Sequence, residues 1–162
     1  MDEPIVACAP VHRALGETTR DQDSILVVEG DAEARLEIAG AFQEGSPNLR
    51  VRLAATGGEA LDALFGPQGR LVDQPSLVLL DLEISEIDGL SILRSVREDP
   101  ILRPVPVVVW SEDADAELVW RAYDLGANTF LAKPAEAAGF DKVVRLLEHY
   151  WLRRAELPSL RG

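Results

Sequence analysis

Short apolar runs alternate with helical patterns along most of the chain. Apolar residues that recur three or four positions apart predict helices, and runs rich in β-branched residues predict buried strands. The run at 77–81 is the most apolar, which is typical of a central strand covered on both faces. The predicted strands are 24–28, 50–54, 77–81, 106–110 and 128–132. The predicted helices are one that follows Asp31 and stops at Gly45, then 58–65, 89–96, 113–125 and 136–154.

Strands that alternate with helices indicate βαβ units and a parallel sheet. Because right-handed crossovers leave few topologies, we predict a flavodoxin-like, doubly wound α/β fold. Its five strands are expected in the order 2-1-3-4-5, with five helices. Residues 1–23 mix proline, glycine and polar residues without a period and are expected to form a flexible arm. Residues 24–154 form the predicted domain, and residues 155–162 a C-terminal tail.

The bulk composition argues against several classes of protein. The net charge of −12 disfavours nucleic acid as a partner, since binding to phosphate backbones depends on basic patches. No apolar run approaches the length of a membrane span, and the acidic start lacks the basic region of a secretory signal. Cys8 is the only cysteine, so neither an internal disulfide nor a cysteine metal cluster is expected. We therefore expect a cytoplasmic protein that binds neither membrane nor nucleic acid.

Polar residues follow the predicted strands at their carboxyl ends. Glu29 follows the first strand, Asp81 ends the third, Ser111 follows the fourth and Lys133 the fifth. In a parallel sheet these positions share one edge, where the reactive site of this fold lies. Carboxylates suit Mg²⁺, a lysine can neutralise a phosphoryl group, and an aspartate can itself be the nucleophile. The edge is therefore predicted to carry out phosphoryl transfer by positioning and charge neutralisation.

Five sequence blocks follow the predicted strands and loops: ILVVE at 25–29, LVLLDL at 77–82, DGL at 88–90, VVWS at 108–111 and GANTFLAKP at 126–134. Together these blocks resemble the receiver domains of response regulators, the CheY-like superfamily. Three further stretches are VPVVV at 105–109, RAYDLGAN at 121–128 and LEHYW at 147–151. They look closer to stand-alone receivers that serve phytochrome-type histidine kinases.

The resemblance implies a role for several residues at the edge. Asp81 would accept a phosphoryl group from a kinase histidine and ligate Mg²⁺, and the backbone carbonyl of Glu83 would add a further ligand. Lys133 would pair with the acids or with the phosphoryl group. The bond between Lys133 and Pro134 is usually cis in this family and is expected to be so here.

The resemblance also implies a two-state switch. Ser111 would hydrogen-bond the phosphoryl oxygen, and Phe130 would swing inward as Ser111 moves, with the readout on the face of the fourth and fifth helices. Trp110 replaces an aliphatic residue and would either hinder Ser111 or pack on a partner. A second interpretation makes Ser111 only a helix cap, because Asp113 and Asp115 also favour the first turn of a helix.

One position departs from the family pattern. The first strand of a receiver is normally followed by two acids, the second of which binds the metal directly, and here the pair reads Glu29-Gly30. We therefore expect a weak Mg²⁺ site formed by Asp81, by Glu29 through water, and by Glu83 as a substitute ligand. Asp31 is expected to cap the following helix instead.

The last helix has an apolar face that predicts core packing. Tyr150 and Trp151 are neighbours that do not both face inward easily, so one of them is expected to be exposed. An exposed aromatic side chain near Arg153 and Arg154 suits a homodimer through the fifth helix.

Two functions from different classes follow. The first is a single-domain response regulator that accepts a phosphoryl group on Asp81 from a sensor histidine kinase such as a bacteriophytochrome. Its own chemistry would be limited to Mg²⁺-assisted autophosphorylation and autodephosphorylation, and the few residues after Trp151 favour signalling by protein contact. The alternative, which Gly30 favours, is a pseudo-receiver that binds partners without phosphorylation. A flavin-binding flavodoxin is disfavoured, because no phosphate-binding loop rich in Ser, Thr and Gly follows the first strand.

Overall fold

The computed structural model describes residues 23–66, 69, 74–136 and 138–158. The predicted N-terminal arm lies outside the described residues except for Asp23, and so do the last four residues of the predicted tail.

Five parallel strands form one sheet in the order β2-β1-β3-β4-β5, which confirms the predicted topology. The fourth and fifth strands each begin one residue later than predicted, and the fourth includes Ser111. The strands are β1 Ser24–Val28, β2 Arg50–Ala54, β3 Leu77–Asp81, β4 Val107–Ser111 and β5 Thr129–Ala132.

Five α-helices connect and follow the strands, as predicted. They are α1 Ala32–Gly45, α2 Gly57–Phe65, α3 Gly89–Glu98, α4 Ala116–Asp124 and α5 Ala138–Leu147. The predicted last helix is not uniform, because a π-helical segment, Glu148–Arg154, continues from α5. Within this π segment Glu148 is buried against the end of α1, where Ser46 donates a hydrogen bond to its carboxylate. Among the described residues, no helix combines the length and the apolar character that a membrane span needs.

The sheet has an apolar layer on each face, because successive side chains of a strand point to opposite sides. Helices α2, α3 and α4 contribute to one layer, and α1, α5 and the π segment contribute to the other. The strand residues in the first layer are Leu26, Val28, Ala54, Val78, Leu80, Val107 and Val109. The strand residues in the second are Ile25, Val27, Leu77, Leu79, Val108 and Trp110.

Among the described residues, four helices begin with a side chain that accepts a hydrogen bond from the first turn, which satisfies a backbone N–H that the helix itself leaves free. The capping side chains are Asp31, Thr56, Asp88 and Asp115. The prediction that Asp31 caps α1 is therefore confirmed. The cap of α4 is Asp115 rather than Ser111, so the interpretation of Ser111 as that cap is wrong.

Candidate functional site

The ammonium group of Lys133 contacts two carboxylates at the carboxyl edge of the sheet. Its Nζ is 2.9 Å from Oδ2 of Asp81 and 3.0 Å from Oε2 of Glu29. Asp81 and Glu29 are each only 2% exposed, and the side chain of Lys133 is 9% exposed. Two carboxylates and one ammonium group therefore share a nearly dry edge, with one negative charge in excess.

The strand register brings these three groups together. Val28 of β1 lies opposite Leu80 of β3, so the next residue of each strand, Glu29 and Asp81, lie side by side. Lys133 joins them from the far side because its backbone N–H donates a 2.9 Å hydrogen bond to the carbonyl of Ser111, which extends the β4–β5 ladder.

Both oxygens of the Asp81 carboxylate are held. Oδ1 accepts a 2.8 Å hydrogen bond from the backbone N–H of Glu83, and Oδ2 faces Lys133. The start of α3 is also close, because a Cβ added to Gly89 would lie 2.7 Å from the carbonyl oxygen of Asp81. Glycine at this position allows α3 to approach the end of β3.

Burial raises the pKa of the Glu29 carboxyl above its ordinary value near 4.5. The charge of Asp81 adds to this rise. The backbone N–H of Asp31 donates a 3.0 Å hydrogen bond to Oε1, and this contact and Lys133 oppose the rise without cancelling it.

The pKa of Lys133 is raised overall from its ordinary value near 10.5. Burial lowers it, but the hydrogen bonds and charges of Asp81 and Glu29 outweigh the burial. Lys133 therefore stays protonated at neutral pH and can neutralise a further negative group that arrives at Asp81.

Of the expected metal ligands, Asp81 and Glu29 lie together, whereas the side chain of Glu83 contacts another loop. The side-chain carboxylate of Glu83 accepts a 3.2 Å hydrogen bond from the backbone N–H of Glu112. Within the described part of the chain, no three His, Cys, Asp or Glu side chains lie close enough together to hold a metal ion. The space at Gly30 is open, since the nearest atom to an added Cβ is the carbonyl oxygen of Ala55 at 4.0 Å. Mg²⁺ often binds through one or two carboxylates and keeps several waters, so Asp81 and Glu29 fit a hydrated ion.

The sequence pattern of the response regulator receiver domain matches residues 25–145. This chain belongs to the response regulator receiver family.

Known relatives agree with this assignment. The probable methanogenesis regulatory protein FilR2 of Methanothrix harundinacea is 31% identical over 128 residues, which cover 79% of this receiver and 83% of FilR2. The crystal structure of the phosphorylated cyanobacterial phytochrome response regulator RcpA has a TM-score of 0.80 and 29% identity, covering 85% of this receiver and 99% of that chain.

A third relative carries a metal. The crystal structure of the Mn²⁺-bound form of response regulator Rcp1 has a TM-score of 0.78 and 25% identity, covering 85% of this receiver and 99% of that chain. Rcp1 of Synechocystis is 33% identical over an aligned stretch of 86 residues, or 53% of this receiver and 58% of Rcp1. Receivers of this group therefore include phytochrome response regulators and a form that binds a divalent cation.

Two further predicted residues lie on neighbouring strands of the receiver. Ser111 is fully buried at the end of β4, and its Oγ accepts a 3.1 Å hydrogen bond from the backbone N–H of Asp113. Phe130 on β5 is half-buried against the layer formed by α2, α3 and α4. Its backbone N–H donates a 3.1 Å hydrogen bond to the hydroxyl of Tyr123, which ties β5 to α4.

Two expectations about individual residues are wrong. Trp110 does not form a partner surface, because it is completely buried beneath α5. The bond between Lys133 and Pro134 is trans, since the described residues contain no cis peptide bond. Trans is the more stable isomer of an X–Pro bond by about 0.5–1 kcal/mol unless the surroundings oppose it.

One contact at the site of this receiver was not predicted from the sequence. Nζ of Lys133 lies 5.4 Å from the centroid of the Trp110 ring. The sequence feature that pointed to this contact is Trp110 itself, an aromatic residue directly before Ser111. The side chain of Trp110 points to the α5 face of the sheet.

Proposed function

We propose that this receiver accepts a phosphoryl group on Asp81 from the phosphorylated histidine of a sensor kinase. The observation that carries the proposal is the 2.9 Å contact between Lys133 and Asp81 at a nearly dry strand end. Such a lysine neutralises the charge that a phosphoryl group adds, and a low-dielectric edge strengthens that interaction.

The transfer needs positioning and charge neutralisation more than acid–base chemistry. A carboxylate oxygen of Asp81 attacks phosphorus, an O–P bond forms, and the N–P bond to the kinase histidine breaks with its electron pair left on the imidazole. Lys133 pairs with the phosphoryl group, and the hydroxyl of Ser111 donates a hydrogen bond to a phosphoryl oxygen. When bound, Mg²⁺ supplies further charge neutralisation, and Asp81, Glu29 through water and the backbone carbonyl of Glu83 would hold it.

The partner we propose is a sensor histidine kinase of the phytochrome type. The likeness to RcpA, a phytochrome response regulator, supports that choice. The receiver would act through protein contact, with no enzymatic activity beyond its own phosphorylation and dephosphorylation.

We also propose a homodimer through α5 and the π segment. Leu146 and Tyr150 lie four positions apart and are 60% and 56% exposed. Trp151 packs edge-on against the ring of Tyr150, with centroids 5.0 Å apart, and turns toward the core. An exposed leucine and an exposed aromatic next to Arg153 and Arg154 suit a surface that a second copy would cover.

A second candidate function is a pseudo-receiver that binds partners without phosphorylation. The open space at Gly30 favours it, because the direct metal ligand of the family is missing there. In this account Lys133 would serve only to neutralise Glu29 and Asp81 and so keep the edge folded.

Intact-mass spectrometry after incubation with acetyl phosphate and Mg²⁺ separates the two candidates. We expect wild type to gain the mass of one phosphoryl group and Asp81→Asn to gain none. If folded wild type stays unmodified while another receiver reacts in the same tube, the pseudo-receiver is the better account.

A further inference from the structure

The ring of Trp110 lies beside the ammonium group of Lys133. The distance from Nζ to the ring centroid is 5.4 Å, within the roughly 6 Å over which a cation is attracted to an aromatic face. The same Nζ contacts Asp81 and Glu29. Three groups on or directly after β1, β3 and β4 therefore face one ammonium group.

Packing alone does not explain a tryptophan at this position. Trp110 is completely buried, and within the residues that the structure describes its Nε1–H has no acceptor. A buried donor without a partner is unfavourable, and an aliphatic side chain carries no such donor. The indole ring of Trp110 also contacts the ring of Phe140 on α5. Their centroids are 5.6 Å apart, and the two ring planes are tilted by 54°.

We propose that Trp110 is a positioning residue for Lys133. Its ring attracts the ammonium group from the α5 side of the sheet, while Asp81 and Glu29 attract it from β3 and β1. The backbone that carries the ring is fixed because its strand pairs with both neighbours, with Asp81 opposite Trp110 on one side and Leu131 on the other. The ammonium group is thereby held next to the oxygen of Asp81 that would face a phosphoryl group, and this last step rests on the proposed function.

The sequence contains two lysines, Lys133 and Lys142, which makes a direct test possible. In protein labelled with ¹³C-lysine, the side-chain signals are those of Lys133 and of the exposed Lys142 on α5. We expect the ring current of Trp110 to displace the Hε signals of Lys133 from the position that Lys142 shows. Wild type with coincident Hε signals for the two lysines would overturn the proposal without any variant.

Two substitutions extend the test. Trp110→Leu removes the aromatic face, so the Lys133 signals should move to the Lys142 position, whereas Trp110→Phe should keep part of the displacement. Val108→Ala is the matched control, because Val108 points into the same layer from the same strand and should leave the Lys133 signals in place. Unchanged Lys133 signals in Trp110→Leu, or in Trp110→Phe if the leucine variant does not fold, would contradict the proposal.

Phosphorylation by acetyl phosphate provides the second readout. We expect Trp110→Leu to react between about threefold and thirtyfold more slowly than wild type, the range that loss of a desolvated cation–π contact supports, and Val108→Ala to react as wild type does. Equal rates for Trp110→Leu and wild type would contradict positioning for transfer. If wild type does not react at all, the proposed function fails, and the lysine signals still decide whether Trp110 positions Lys133.

Discussion

Gly30 leaves the carboxyl edge without a carboxylate at the position that follows Glu29. Because the space at Gly30 is open, the substitution Gly30→Asp fits without a clash. We expect it to raise the affinity for Mg²⁺ by about tenfold or more, since affinity for hard cations rises with the number of charged oxygen ligands. Isothermal titration calorimetry with MgCl₂ measures this.

Gly40→Asp is the matched control for that change. Gly40 is exposed on α1 and has no heavy atom within 4 Å of an added Cβ. The control adds the same charge away from the site and should leave the affinity for Mg²⁺ unchanged. Equal affinities in wild type and Gly30→Asp would show that the ion does not bind near Gly30.

Lys133 balances two buried carboxylates, so its removal should destabilise the fold. We expect Lys133→Met to lower the free energy of unfolding near pH 7 by about 3 kcal/mol, as when one partner of a buried ion pair is lost. Urea denaturation measures the change. Lys142→Met, which removes the exposed lysine of α5, should stay close to wild type.

The raised pKa of Lys133 predicts how the stabilisation by this residue depends on pH. This pKa is raised above its ordinary value of 10.5 in the folded state. The stabilisation by Lys133 is therefore fully present below pH 10.5. It is lost as the pH rises through the folded-state pKa. We expect the stability gap between wild type and Lys133→Met to narrow above pH 10.5 in urea denaturation. A gap that stays constant or widens would contradict this assignment of charge.

The placement of the edge residues could be predicted from the sequence, and the orientation of some side chains could not. Glu29 and Lys133 follow parallel strands and Asp81 ends another, so all three had to lie at one edge. The side chain of Glu83 turns to the backbone of Glu112, and that contact depends on how two loops pack. The contact of Trp110 with Lys133 depends in the same way on the path of the chain after β5.

At the scale of elements, the π segment coincides with a contact between distant parts of the chain. Ser46 donates a hydrogen bond to Glu148, which lies 102 positions later in the sequence. Arg153 pairs with the same carboxylate at 3.0 Å and donates a 2.8 Å hydrogen bond to the carbonyl of Gly45. A wider helical turn accompanies this burial, and the local hydrophobic pattern of the last helix contains no sign of it.

Two glycines of α1 provide a test of that contact. A Cβ added to Gly45 would overlap the carboxylate of Glu148, whereas a Cβ added to Gly40 meets nothing. Alanine favours a helix over glycine by about 1 kcal/mol, so Gly40→Ala should be stabilising by up to that amount. Gly45→Ala should be destabilising by about 1–3 kcal/mol from overpacking. Thermal and urea denaturation compare the two, and equal stabilisation by both would contradict the tight contact.

The strands and their order could be predicted because β-branched runs and alternating helices leave few topologies. The observed boundaries differ from the predicted ones by a residue or more at two strands, β4 and β5, and at four helices, α2, α3, α4 and α5. At α4 the cap decides where the first turn begins. Asp115 caps α4, which begins at Ala116 rather than at Asp113, because the side chain of Asp115 accepts hydrogen bonds from the backbone N–H groups of Glu117 and Leu118.

At the scale of the whole molecule, the exposed face of α5 and the π segment would bury apolar area only in an assembly. We expect wild type to sediment as a dimer in analytical ultracentrifugation and the Tyr150→Asp variant as a monomer, because a charge at the centre of an apolar contact is costly. Ile101→Asp is the control, since Ile101 is 55% exposed outside α5 and should not affect the dimer. A monomeric wild type would contradict the proposed dimer.

The position of the phosphoryl group on the chain can be found chemically after transfer from a sensor histidine kinase or acetyl phosphate. Borohydride reduces an aspartyl phosphate to homoserine, and peptide mass spectrometry then locates the changed residue. The account predicts homoserine at position 81, in a fraction of molecules that matches the phosphoryl content of the intact protein. Label at another residue, or none with either donor while a control receiver is modified, would contradict Asp81 as the phosphoryl acceptor.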